Sequence, residues 1–155
     1  MVSVDSNGND AVFFWYIMGR ILAVDFGRRR IGLAVCDELQ MTTTGLPTLH
    51  VRNLTEGIAG VAQVVDAESV EQVVVGLPLN MDGSQGEMAR AAEGFAQSLG
   101  RICDTPICLF DERLSSAGAQ SEMRMMGIKN RKRKGTVDRI AAVLILETYL
   151  QHRGR

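Results

Sequence analysis

The chain has 155 residues and a formal net charge of −1, with 46% hydrophobic and 23% charged residues. At this length folding removes roughly 70% of the extended chain's surface from water, enough for one substantial core, and the composition is that of an ordinary globular protein, not a disordered or membrane one. The near-neutral balance also excludes bulk attraction to polyanions, so any affinity for nucleic acid has to come from how the charges are distributed.

Ala11–Met18 (AVFFWYIM) is an apolar run of eight residues. That is too short to cross a bilayer, which takes about 20 residues of helix. The residues before it carry Asp5 and Asp10 but no Lys or Arg, unlike the positive start of a secretory leader. Val2–Asp10 reads as unordered. Residues 1–17 are therefore expected to be an N-terminal extension upstream of a start at Met18; an extra edge strand is the alternative. Residues 18–155 are expected to form a single domain.

Arg20–Phe26 and Ile31–Cys36 are short apolar runs that predict buried strands, and Gly27–Arg30 is short enough to join them as a hairpin. A third strand is expected within Met41–Leu49, interrupted by Gly45 and Pro47. From Asn53 to Asp66 the period becomes helical, with Leu54, Ile58, Val61 and Val65 on one face and Asn53 with Glu56 as a capping box. Gln72–Gly76 is a strand. Ser84 and Glu87 form a second capping-box pattern, opening a helix whose apolar face is Met88, Ala91, Ala92, Phe95 and Leu99 and which Gly100 ends.

Pro106–Phe110 is a further strand, and Ser115 or Ser116 caps a helix to Met126, closed by Gly127. Asn130–Gly135 reads as a basic loop. Val137–Leu150 is the last helix, with Ile140, Ala141, Leu144, Ile145 and Thr148 inward. The hairpins imply antiparallel pairing and the helical crossovers imply parallel pairing. The expected architecture is α/β, one mixed sheet of about five strands flanked by helices.

Cys36, Cys103 and Cys108 include no closely spaced pair, and neither His50 nor His152 has a partner at ligand spacing. A zinc site and a Cys/His or Ser/His nucleophile are both disfavoured, and the odd cysteine count fits a reducing cytoplasm.

Acidic residues carry the chemical signal. Asp25 is the only charge in its strand after Arg20 and sits at the C-terminal end, where open α/β sheets present ligands. It is either a site residue or a turn former bonding the following amides. Asp111-Glu112-Arg113 also follows a strand; these charges fit either a metal ligand with an orienting guanidinium or the favourable end of a helix dipole. Asp138 in the last helix's first turn is explained by the dipole alone. The loop Gly76–Gly83, containing Asn80, is either a phosphate-holding turn or an ordinary connection.

Charge placement favours function. Between Met123 and Val137 lie Arg124, Lys129, Arg131, Lys132, Arg133 and Lys134 with no acid, just before Asp138; Arg28, Arg29 and Arg30 follow Asp25. Basic clusters beside separated acids are the layout of a site that holds a polyanion. The chemistry expected is phosphodiester hydrolysis with Mg²⁺ or Mn²⁺, which prefer oxygen ligands. Two ions about 4 Å apart would activate water and stabilise the leaving oxygen, the scissile phosphate completing their coordination.

The segments ILAVDFGRRRIGLAV, VVVGLPLNMDG, FDERLS and VDRIAAVLILETYL, in this order and spacing, resemble the YqgF family of pre-16S rRNA nucleases, also described as Holliday junction resolvases. The resemblance spans Arg20–Leu150. It implies a ribonuclease H-like fold, the acidic set Asp25, Glu112 and Asp138 as catalytic metal ligands, and cytoplasmic maturation of the 5′ end of 16S ribosomal RNA. The expected partners are structured or precursor ribosomal RNA and ribosomal particles, with no membrane.

Arg28, Arg29, Arg30, Asn80, Arg113, Lys129, Arg131, Lys132, Arg133 and Lys134 are the expected nucleic-acid contacts. The sequence departs from the family pattern at Arg28, where a small hydroxyl residue is usual, and at Arg139, where a small residue is common. In such folds the second acid ends the fourth strand. Here that strand ends in Gly76-Leu77-Pro78, so Glu112 must reach across, with Asp111 or Asp82 as alternative ligands. The competing functions are a junction-resolving DNA nuclease, a non-catalytic RNA-binding ribosome-assembly module, and a nucleotide-binding protein of the actin-like class, which would need a second such domain.

Overall fold

The computed structural model describes residues 19–114 and 131–153, without the side chains of 131–134. The expectations for residues 1–17, for the helix from Ser115 or Ser116 to Met126, and for Arg124 and Lys129 lie outside the described residues.

Five strands, β1 (Arg20–Asp25), β2 (Arg30–Cys36), β3 (Thr43–His50), β4 (Val70–Leu77) and β5 (Ile107–Asp111), form one sheet in the order β3-β2-β1-β4-β5. β1–β2 and β2–β3 pair antiparallel, whereas β1–β4 and β4–β5 pair parallel. β1 lies at the centre and is apolar on both faces, as a strand covered on both sides must be. Pro47 is accommodated because β3 is an edge strand, where a missing amide donor is tolerated.

Two helices, α1 (Leu54–Ala67) and α2 (Glu87–Ile102), cover one face. Their Val61, Val65, Phe95 and Leu99 pack on Leu22, Val24, Leu33, Val73 and Val75. The opposite face is covered by α3 (Arg131–Arg153), whose Ala141, Ala142, Ile145 and Leu146 pack on Ile21, Ala23, Ala34 and Val74. Small residues on that sheet face bring α3 close. Among the described residues no helix is long and apolar enough to cross a membrane.

Asn53 caps α1 as expected, accepting from the Glu56 amide at 2.8 Å. The second capping box does not form. α2 is preceded by Gly86 without a side-chain cap. Ser84 instead bonds Asp82, while Glu87 pairs with Arg28. α2 also runs past Gly100 to Ile102.

The largest departure is in α3. Arg131–Gly135, expected as a loop, is helical. Arg and Lys are good helix formers, and the Thr48 hydroxyl on β3 donates to the Gly135 carbonyl at 3.0 Å, docking this end against the sheet. The inward face also differs from the expected one. Ile140 is exposed, and the buried stripe is Asp138, Ala141, Ala142, Ile145 and Leu146. Asp138 is thus about two turns inside the helix, where the dipole of the first turn no longer explains an acid.

Candidate active site

Asp25 ends β1. Because strand side chains alternate, it follows Ile21 and Ala23 onto the face covered by α3. On one side its register partner is Gly32 of β2. On the other, Val24 pairs with Val75 of β4, so the next residue of β4, Gly76, lies beside Asp25.

Both flanking glycines make room for an acidic residue. A Cβ built on Gly32 would collide with the Asp138 carbonyl oxygen, which fixes where α3 rests on β2. A Cβ on Gly76 would collide with Glu112 Oε1 and come within 2.8 Å of Ile145 Cδ1. Glu112 opens a short 3₁₀ turn, Glu112–Leu114, directly after β5. Its side chain bends back over Gly76 toward β1. The missing acid at the end of β4 is therefore explained: the strand offers a bare backbone there, and the carboxylate from beyond β5 fills the space.

The three acids are 4%, 3% and 0% exposed for Asp25, Glu112 and Asp138. Burying one carboxylate is costly, and burying three around one point of a sheet is costlier. Arg30 supplies positive charge, with its Nε 3.1 Å from Asp138 Oδ2.

The alternative ligands are placed differently. Asp111 receives the Arg113 backbone amide at 2.9 Å and its guanidinium Nη2 at 2.7 Å. Hydrogen bonding from Arg113 holds the Asp111 carboxyl below its ordinary range. Asp82 is exposed on the β4–α2 loop, its pKa lowered chiefly by the Ser84 hydroxyl. Both carboxylates hold loop geometry.

The expected nucleic-acid contacts divide by partner. Arg28 Nη2 meets Glu87 Oε1 at 2.7 Å on the surface, and Arg29 Nη1 donates to the Arg52 carbonyl at 3.0 Å. Arg30 faces Asp138. Arg113 is clamped by Asp111 and reaches the Met81 carbonyl at 3.3 Å. Asn80 Nδ2 donates to Ser84 Oγ at 3.0 Å, closing the loop on itself. Arg139 lies along Gly45, its Nε donating to the Leu46 carbonyl at 3.1 Å, so its departure from the family pattern faces β3. Burial pushes the thiols of Cys36, Cys103 and Cys108 up, which keeps them protonated and unsuited to attack.

Three carboxylates of hard oxygen donors around a glycine cradle suit Mg²⁺ or Mn²⁺ rather than a soft metal. Among the described residues, no group of three or more His, Cys, Asp or Glu side chains is arranged so as to hold a metal ion.

Comparison with known proteins identifies the lineage. The family model described as RuvX, Holliday junction resolvase, matches residues 19–152. The chain belongs to this family. Among its relatives, a protein of Anaeromyxobacter dehalogenans named "Putative pre-16S rRNA nuclease" is 47% identical over 134 residues, covering 86% of this chain and 98% of that protein. A Koribacter versatilis protein of the same name is 41% identical over 138 residues, covering 89% and 90%.

Solved structures give the fold of this RuvX chain. Thermus thermophilus RuvC in complex with a Holliday junction superposes with a TM-score of 0.54 at 18% identity, covering 86% of this chain and 96% of that one. The yeast mitochondrial Holliday junction resolvase gives 0.51 at 9% identity, covering 88% and 80%. The fold is ribonuclease H-like, as the sequence resemblance implied.

The sequence signalled the acids but not what brings them together. In the sequence Gly32 reads only as a small residue inside a core strand, Gly76 as the start of a turn-rich loop, and Arg30 as one of three consecutive arginines. Their roles depend on register, which fixes who stands opposite whom.

Proposed function

We propose that this RuvX protein is a divalent-metal-dependent endonuclease of the cytoplasm that trims the 5′ end of pre-16S ribosomal RNA, alone or within ribosomal particles. The observation that carries the reading is the burial of Asp25, Glu112 and Asp138 at one end of the sheet, two of them admitted by glycines. Relatives that carry the pre-16S rRNA nuclease name over nearly their whole length support the choice of substrate.

Asp25, Glu112 and Asp138 would hold Mg²⁺ or Mn²⁺, with phosphate and water completing the coordination. The bound metal supplies an activated water and stabilisation of the leaving oxygen. The chain itself orients the substrate. Arg28 and Arg29, on the turn after Asp25, receive phosphates flanking the scissile one. The basic residues Lys129, Arg131, Lys132, Arg133 and Lys134 add a sequence-independent hold on the backbone. Asp111 with Arg113, and Asn80 with Ser84, keep the neighbouring loops in place.

The family description favours one second reading, cleavage of a four-way DNA junction. Incubating the protein with Mn²⁺ and either pre-rRNA 5′-leader RNA or a DNA junction separates the two. Cleavage of the leader RNA supports the proposal, cleavage of the junction alone supports the second reading, and binding without cleavage leaves an RNA-binding assembly module.

A further inference from the structure

The sheet face opposite the acids carries a cavity of about 510 Å³ between α1 and α2. That is the size of a small-ligand site. Its floor is aromatic. Phe26 is half-buried and stacks on the fully buried Phe95, with centroids 4.7 Å apart and planes 22° apart. Its rim carries Arg28, Arg29 and Arg52.

We propose that this cavity seats one unstacked nucleotide of the RNA strand bound at the Asp25 edge; the assignment rests on the nuclease reading above. Asp25 and Phe26 are consecutive and face opposite sides of the sheet. A strand crossing the turn from Phe26 to Arg29 therefore meets the acids on one side and the cavity on the other. The aromatic floor fits the face of a base, which side chains such as Phe bind by stacking. The rim fits its phosphates. Arg29 spends one N–H on the Arg52 carbonyl, of the five an arginine has. Arg28 is held by a surface ion pair, 56% and 75% exposed, which a phosphate readily replaces. The N-terminus of α1 at Asn53 also borders the cavity and favours an anion there.

Gly94 gives an independent sign that the space is kept open. It lies inside α2, where glycine weakens a helix, and a Cβ there would meet nothing within 4 Å. Gly57, on the facing helix, has a packing reason: its Cβ would come within 3.0 Å of Ile31 Cδ1. Core packing thus accounts for Gly57 and not for Gly94, where any side chain would project into the cavity.

The test is Gly94→Leu, measured in EDTA so that binding is read without cleavage. The probes are a fluorescein-labelled single-stranded RNA 12-mer and the same strand made abasic. The expected result is roughly tenfold weaker binding of the base-bearing strand, the loss of one base stack. Binding of the abasic strand stays unchanged, and the melting temperature is at or above wild type. Phe26→Leu, which keeps the apolar volume without the ring, should give the same selective loss and carries the test alone if Gly94→Leu fails to fold. Equal affinity for both strands in wild type and variants overturns the proposal. So does an equal loss on both strands, and so does a changed sedimentation coefficient with unchanged RNA affinity, which would mean that a second copy of the chain fills the cavity. None of these outcomes depends on catalysis, so an inactive nuclease would leave the result standing.

Discussion

The Glu112 carboxylate occupies the space that a side chain at Gly76 would fill. This one relationship brings an acid from beyond β5 over β4, the strand that runs beside Asp25. Gly76→Ala should therefore expel Glu112 from the sheet and press on Ile145. The expected outcome is loss of metal-dependent cleavage with a stability cost of about 1–3 kcal/mol, the range for overpacking. Denaturant melts and a cleavage assay on the same preparation check it. A folded Gly76→Ala protein with normal activity would remove Glu112 from the catalytic set.

Arg30 stands 3.1 Å from the almost fully buried Asp138 carboxylate, and is itself 27% exposed. Replacing it with Met keeps the apolar stem and takes away the cation. The metal-free variant should be less stable by about 1–3 kcal/mol, because a buried charge loses a charged partner. Mn²⁺ should then raise its melting temperature by more than it raises that of wild type, since binding to the folded state stabilises by mass action. Equal Mn²⁺ responses in the two proteins would mean that Asp138 takes no part in holding the ion.

Asp111 is the acid most easily mistaken for Glu112 in the sequence, and pH separates them. Its folded pKa is lowered, chiefly by hydrogen bonds from Arg113. A carboxylate with a lowered folded pKa contributes stability above its ordinary value of about 3.9, and the contribution is lost as pH falls through the lowered value. Asp111→Asn should therefore melt below wild type near neutral pH, and the gap should close below about pH 4. Metal-dependent cleavage should persist, because Asp111 serves the β5–Arg113 clamp. Abolished cleavage by a folded Asp111→Asn protein would transfer the ligand role to it.

Much of this architecture is legible in the chain itself. The apolar runs around Asp25 and from Val73 to Val75 predict central strands, and the Asn53/Glu56 pair predicts the start of α1. What stayed hidden is non-local. The start of α3 was obscured because a basic run ending in Gly135 reads as a loop, while a contact from Thr48, far away in sequence, holds it as helix. The earlier start takes Asp138 out of the helix's first turn, and packing against Gly32 of β2 puts Asp138 rather than Ile140 on the inward stripe. Likewise, Ser84 and Glu87 have the spacing of a capping box, but Asp82 and Arg28 compete for them. The acids were visible as residue types; the glycines that seat them have meaning only in register.

If buried carboxylates, not the arginines around them, make this chain a nuclease, Asp25→Asn is the decisive substitution. Asparagine keeps the shape of aspartate and can hold the turn after β1, yet lacks the negative charge that holds a hard divalent cation. The measurement is Mn²⁺-dependent cleavage of pre-rRNA 5′-leader RNA by wild type and variant, with RNA affinity recorded alongside in EDTA. A folded Asp25→Asn protein should show no detectable cleavage while binding the RNA about as well as wild type. Full Mn²⁺-dependent cleavage by that protein would mean that Asp25 holds no metal and that the nuclease mechanism is wrong.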